Sequence, residues 1–328
     1  MLAALLLAVA ACQRTDPDPG PGNEICLNAN TMQDDATKAT VVNSDSDLQS
    51  KDITVYGYFH GSSPYRNCFY SDMHYSSGTW EFINGSGDQV HFYWPIEGSY
   101  ISSTAVSSLD FFGWCPSELP SYIPYFNPTL TGPIFQCSSL PVSSATQAAT
   151  EEFLYAYLPD ITYEDQVNAG GAISLEFIHP FAIINLDVKT SHRAVYNLNT
   201  ITFKDIKNSG TYTHNNVNKW ATSGYDTDFS LTLADGIAED AALTSSQKST
   251  MGCPAIVLPQ TLVTTNQIEV KLTWNDGDAE QTYTFNNPVS EWQPGKVYNY
   301  TLDLLGEIKF SVTIDDWSAE ETPRNIRF

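Results

Sequence analysis

Apolar and polar positions alternate along most of this chain. Ile53, Val55 and Gly57 to Phe59 alternate with Thr54, Tyr56 and Tyr58. Val90, Phe92 and Trp94 alternate with His91 and Tyr93. The same period returns at Ile173, Leu175 and Phe177, at Ile184, Leu186 and Val188, at Ile268, Val270, Leu272 and Trp274, and at Ile308, Phe310, Val312 and Ile314. Period two in β-branched and aromatic residues predicts half-buried antiparallel strands. Asn275-Asp276-Gly277-Asp278 lies between two such runs and predicts a hairpin. Pro and Gly clusters separate others, as at Pro116 to Pro133. Helix signals are confined to Ser144 to Phe153 and Glu239 to Lys248. Many short strands with turns between them predict an all-β protein built of sandwiches.

Length divides this pattern. At about 150 residues per domain, 328 residues suggest two domains. The flexible pair Gly170-Gly171 precedes a fresh strong strand, so the expected domains are residues 24–170 and 171–328. Hydrophobic residues make up 42% of the chain, which separates it from disordered sequences.

The N-terminus reads differently. Leu2 to Ala11 form an apolar run. A bilayer span needs about 20 residues, so this run is the apolar core of a secretory signal over residues 1–11. No Lys or Arg precedes it. It ends in Val9-Ala10-Ala11-Cys12, which resembles the lipobox of bacterial lipoproteins, with Cys12 as the lipid attachment site. Residues 12–23 follow, dense in Pro and Gly as at Pro17-Asp18-Pro19-Gly20-Pro21-Gly22, and form a tether.

Charge narrows the partners. Fifteen basic residues stand against 38 acidic ones, for a net charge of −23. Phosphate binding needs clustered Lys and Arg, so nucleic acid and anionic membrane surfaces are poor partners. Asp45-Ser46-Asp47 and Asp276-Gly277-Asp278 lack the spaced ligands of a calcium loop. Setting Cys12 aside leaves Cys26, Cys68, Cys115, Cys137 and Cys253, an odd number. Cys115 and Cys137 are the nearest pair, and sequence does not assign connectivity. With no C-x-x-C, neither zinc nor thioredoxin-type chemistry is indicated.

Catalytic motifs are missing. There is no G-x-S-x-G, no H-E-x-x-H and no phosphate-cradling glycine loop. His179, between an apolar strand and Pro180, reads as a buried or turn-capping histidine. The expectation is a non-enzyme without cofactor or metal. Tyr65, Phe69, Tyr70, Tyr75, Trp80, Phe111, Phe112, Trp114, Tyr122, Tyr125 and Phe126 crowd the first half. Most are expected in the core or on strand faces, while exposed members of the group could stack on sugars or proteins.

Several segments together resemble the fimbrillins, the subunits of type V pili. They are Gly78-Thr79-Trp80-Glu81-Phe82 with Val90 to Pro95; Glu152 to Tyr157 with Ile173 to Ile184; Leu258 to Leu262; Trp292 to Leu302; and Ile308 to Ile314 ending in Asp315-Asp316-Trp317. Pro180 directly after His179 departs from the family's pattern. The resemblance implies two tandem transthyretin-like antiparallel β-sandwiches, each of roughly seven strands. It implies a lipoprotein carried to the outer membrane and held there through Cys12, at the cell surface in a fimbrium. It implies removal of an N-terminal strand by cleavage after a basic residue, and refilling of the groove by a strand from another pilus subunit. Lys38 and Lys51 are the candidate processing residues, because a cut at Arg14 releases lipid without removing a strand. Stalk subunit, tip adhesin and anchor all stay open, as does a stand-alone surface lipoprotein that binds glycan or host protein.

Overall fold

A computed structural model describes residues 23–31, 44–62, 65–95, 100–101, 104–105, 108–141, 151–189, 197–216, 219–232, 248–250, 255–274, 278–304 and 308–317. The expected signal, Cys12, nearly all of the tether, Lys38 and Cys253 lie outside these residues.

The first part of the chain supplies β1 (Leu27–Thr31), α1 (Asp45–Gln49), β2 (Ile53–Phe59), β3 (Asn67–Ser76), β4 (Thr79–Ile83), β5 (Tyr100–Ile101), β6 (Thr104–Ala105), β7 (Leu109–Cys115), β8 (Tyr125–Asn127), β9 (Ile134–Cys137), β10 (Leu154–Ile161), α2 (Tyr163–Asn168) and β11 (Ile173–Phe177). The remainder supplies β12 (Ala182–Lys189), β13 (Asn197–Ile206), β14 (Ser209–Thr213), β15 (Trp220–Ser223), β16 (Thr227–Thr232), β17 (Lys248–Thr250), β18 (Ala255–Val257), β19 (Gln260–Thr261), β20 (Gln267–Thr273), β21 (Gln281–Asn286), β22 (Glu291–Trp292), β23 (Lys296–Asp303) and β24 (Lys309–Asp316).

The all-β expectation holds, and the alternating runs are strands. β2 is sandwiched in an antiparallel sheet of order β10-β7-β2-β3-β4. Its inward positions Ile53 and Val55 join Met73, Phe82, Leu109, Phe111 and Leu154 in a first core. The opposite side of that core is closed by β1 and β11, which pair in parallel. A second core lies between the sheets β17-β12-β23-β24 and β16-β13-β20-β21, with β18 also on β12. Ile184, Val188, Ile201, Val270 and Tyr300 fill it. Burial of each such side chain contributes about 1.5–3 kcal/mol, which is why a chain with this alternation folds into layers.

A third core was not legible in the sequence. β9 pairs with β14 in a four-stranded sheet of order β15-β14-β9-β8, so one ladder joins the two parts of the chain. Phe135 of β9 is buried there against Phe153, Tyr155, Tyr212 and Trp220. The turn at Gly170-Gly171 precedes β11, whose Ile173, Leu175 and Phe177 lie in the first core. The second core takes its first residue from Ala182.

Three expectations are corrected. Val90 to Trp94 form no regular strand, because the stretch pairs only at single points: Val90 N donates to Phe82 O, and Glu24 bridges Tyr93. Glu151 to Phe153 are not helical, since Glu152 and Phe153 are buried and lead directly into β10. Lys248 opens β17 instead of closing a helix, and the rest of both expected helices lies outside the described residues. The helices that do form begin at caps. Ser44 Oγ accepts from Asp47 N at 3.1 Å for α1, and Thr162 with Asp165 makes a reciprocal capping box for α2.

Candidate functional site

β1 and the residues just before it pair only with β11 among the named strands and close one side of the first core. Ile25, Leu27 and Ala29 are 1%, 3% and 5% exposed, while Cys26 and Asn28 between them face outward. Period two therefore places one apolar row in the first core. The strand is held along one edge by β11, with Leu27 opposite Ile173, Ala29 opposite Leu175 and Thr31 opposite Phe177. Ile173 N donates to Cys26 O at 2.9 Å.

Side chains hold both ends. Before β1, Gln166 of α2 is buried; its Oε1 accepts from Cys26 N at 3.0 Å, and its Nε2 donates to Glu24 O at 2.8 Å. Trp94 Nε1 donates to the same Oε1 at 2.9 Å. Ile25 N donates to Phe92 O, and Trp94 N to Asn23 O. In the middle, Trp80 Nε1 donates to Ala29 O at 3.0 Å. At the far end, Thr31 N and Oγ1 both donate to Asp45 Oδ1, at 2.8 and 3.2 Å. Asp45 opens α1, and Leu48 of α1 is fully buried in the first core.

Lys51 stands between α1 and β2, 35% exposed, with Nζ 2.5 Å from Glu151 Oε1. By position, a cut after Lys51 separates β1 and α1 from β2. Lys38 falls between β1 and α1 in sequence, so a cut there separates β1 alone. The structure does not bring Lys51 into the β1 slot. The residues that grip β1, namely Gln166, Trp80, Trp94 and Asp45, were not singled out as site residues from sequence. The helix signals read from sequence did not include α2, and nothing in the sequence announces that Gln166 points at β1.

The aromatic group divides. Phe69, Trp80, Phe111, Phe112, Trp114 and Tyr122 are buried, whereas Tyr70 is 61% exposed. On the outer face of the first sheet the rings of Tyr70, Tyr56, Tyr58 and Tyr65 stack in series, with centroids 5.1, 6.2 and 4.6 Å apart. Burial pushes the Tyr56 hydroxyl up to about 12, with Tyr58, Tyr70 and Asp72 adding to it. Tyr65 donates to the buried Asp110 Oδ2 at 2.8 Å.

His179 is buried, as its setting suggested. Its Nδ1 lies 2.6 Å from Glu152 Oε1, and its ring stacks on Trp317 at 4.1 Å. The Asp45-Ser46-Asp47 run is spent on the α1 start and on Thr31. Among the described residues no group of three or more His, Cys, Asp or Glu is arranged to hold a metal ion. Cys26, Cys115 and Cys137 are free thiols, so the nearest pair in sequence is not bonded. Among the described residues no helix is long and apolar enough to cross a membrane.

The arrangement has relatives of known structure. A fimbrial protein from Bacteroides vulgatus is 13% identical, with a TM-score of 0.57 over 90% of this chain and 99% of that one. A proposed cell adhesion protein from Bacteroides ovatus is 17% identical, with a TM-score of 0.53 over 91% and 98%. A second proposed cell adhesion protein, from Bacteroides uniformis, is 14% identical, with a TM-score of 0.52 over 91% and 99%. These likenesses speak to the fold. A search of curated proteins finds no significant match. A family model described as fimbrillin-like matches residues 37–317, which begins after β1 and ends at Trp317. By that match over most of its length, the chain belongs to the fimbrillin-like family.

Proposed function

We propose that this protein is a structural subunit or accessory adhesin of a cell-surface pilus, and that it joins its neighbours by β-strand exchange. One observation carries the reading. β1 contributes a single apolar row and is gripped mainly by residues that follow Lys51 in the chain, so it can leave while the slot stays assembled. Departure exposes the β11 edge and the apolar floor beneath Leu27 and Ala29. An extended segment from another subunit regains both at once. Lipid on Cys12 would hold the precursor at the outer membrane, and a cut at Lys38 or Lys51 would free the slot.

Intact mass and N-terminal sequencing of the mature protein from membranes test this. A chain that starts beyond Lys38 or Lys51, without lipid, is the expected result for an assembled subunit. A chain that starts only at acylated Cys12, with no polymer in mild detergent, sinks strand exchange and leaves a free-standing lipoprotein.

A second reading rests on the tyrosine stack, half-buried at Tyr56, Tyr58 and Tyr65 and exposed at Tyr70. If this face binds glycan, the protein will show saturable sugar binding that weakens in Tyr70→Ala. Equal binding by that variant rejects the site.

A further inference from the structure

Gln166 occupies a place in the sheet that a backbone residue would ordinarily fill. In a parallel pair, one residue donates its N–H to the carbonyl before its partner and accepts from the N–H after it. The side-chain amide of Gln166 does this opposite Ile25: Nε2 donates to Glu24 O, and Oε1 accepts from Cys26 N. The next rungs are Ile173 opposite Leu27, Leu175 opposite Ala29 and Phe177 opposite Thr31. Gln166 thus adds one rung to the β11 ladder.

Trp94 decides which way the amide faces. An indole N–H can only donate, so the atom it meets must be the Gln166 oxygen. That leaves the nitrogen for Glu24 O. The main chain of Gln166 is itself fixed, with its N donating to Thr162 O and its carbonyl accepting from Gly171 N.

We propose that Gln166, oriented by Trp94, is a backbone-reading positioning residue that sets the phase of whichever strand fills this slot. The inference rests on the strand-exchange reading where the strand is a donated one, but it applies equally to β1. The amide's hydrogen bonds to its occupant go to main-chain atoms, so it accepts a segment of any sequence at that point. It rejects a slip of one residue, which turns the N–H and carbonyl to the other edge and the apolar row outward. Selection by side chain falls instead to the buried Ala29 position, where a larger residue overpacks the first core. The occupant is therefore an extended, sequence-tolerant segment with large apolar residues at two alternate positions and a small one at the third.

The test uses the full chain with a specific protease site placed within residues 32–43. After cutting, β1 is untied from α1. Exchange is followed with labelled peptides spanning Asn23 to Thr31, either unmodified, N-methylated at Cys26, or N-methylated at Leu27. On the parent protein, methylation at Cys26 is expected to weaken binding about tenfold beyond the Leu27 control, the size of one lost buried hydrogen bond. In Gln166→Met, the Cys26 penalty is expected to vanish. Persistence of the penalty in that variant overturns the proposal.

Failure of every peptide to enter the parent protein counts against strand exchange and not against the rung. The rung is then read in the uncut chain. Gln166→Met should speed hydrogen exchange at the Cys26 amide about tenfold, with Ala29 unchanged, whereas Gln166→Glu, whose carboxylate still accepts from Cys26 N, should leave Cys26 protected. No change at Cys26 in Gln166→Met overturns the assignment.

Discussion

At the scale of single residues, close packing makes the sharpest demands. A Cβ on Gly57 would lie 2.3 Å from Phe69 Cε1. Phe69 cannot swing aside, because it is buried between Phe82 and Phe92. Gly57→Ala is therefore expected to cost about 1–3 kcal/mol, read as a lower denaturation midpoint at an unchanged slope. An unchanged midpoint rejects the contact. Buried acids set the alkaline limit. Burial pushes the Cys115 and Cys137 thiols up to about 12 from 9.0, and Tyr212 up to about 12 from 10.0. Their folded values are raised, so the stability they contribute is full below pH 9 and is lost as pH rises toward 12. Denaturation midpoints are expected to be level up to pH 9 and to fall beyond it. A midpoint that still holds at pH 12 contradicts the assignment. Little of this was legible in the sequence. Alternation marked Gly57 as part of a strand but not that an aromatic ring crosses its α-carbon.

At the scale of elements, the grip on β1 depends on a short helix. α2 has only six residues and is held by its cap, with Asp165 N donating to Thr162 Oγ1 and Thr162 N donating to Asp165 Oδ2. Hydrogen bonds from Thr162 hold the Asp165 carboxyl below its usual range. This contribution is present above the ordinary carboxylate pKa and is lost as pH falls through the depressed value. Thr162→Ala is expected to cost about 1 kcal/mol and to raise exchange at Cys26, whose partner Gln166 lies four residues from the substituted cap. Faster exchange confined to α2 would uncouple the helix from the strand. Strands with strong period two were readable because one face of each is buried. Val90 to Trp94 misled for a related reason. Trp94 and the half-buried Phe92 do pack inward, but the stretch lacks a continuous neighbour, and alternation reports burial, not pairing.

At the scale of the molecule, the sheet shared by β8, β9, β14 and β15 governs how the parts behave. Local pattern could not reveal it, since Ile134 to Cys137 is only four residues and its partner begins at Ser209. The shared core buries Phe135, Tyr155, Phe181 and Trp220 together. His179 and Trp317 stack on one another and tie the end of β24 to Glu152. The expected outcome of calorimetry is one transition, with calorimetric and van't Hoff enthalpies equal. Two resolved transitions would show that the parts unfold alone. The position of β11 also bears on where the chain divides. We propose that the division falls near Pro180 and not at Gly170-Gly171. A fragment from residue 180 should then stay more soluble than one from residue 171, which carries the apolar row of β11 without its core.

The parallel pairing of β1 with β11 has a temporal side. Asn30 and Ser174, which bond across that pair, are 144 positions apart. A ribosome working at roughly 5–20 residues per second takes roughly seven to thirty seconds to cover that distance. For that interval the first strand exists without its mate. Its row of Ile25, Leu27 and Ala29 must stay out of other associations until the last rung emerges. The slot for this strand is thus completed long after the strand itself is made.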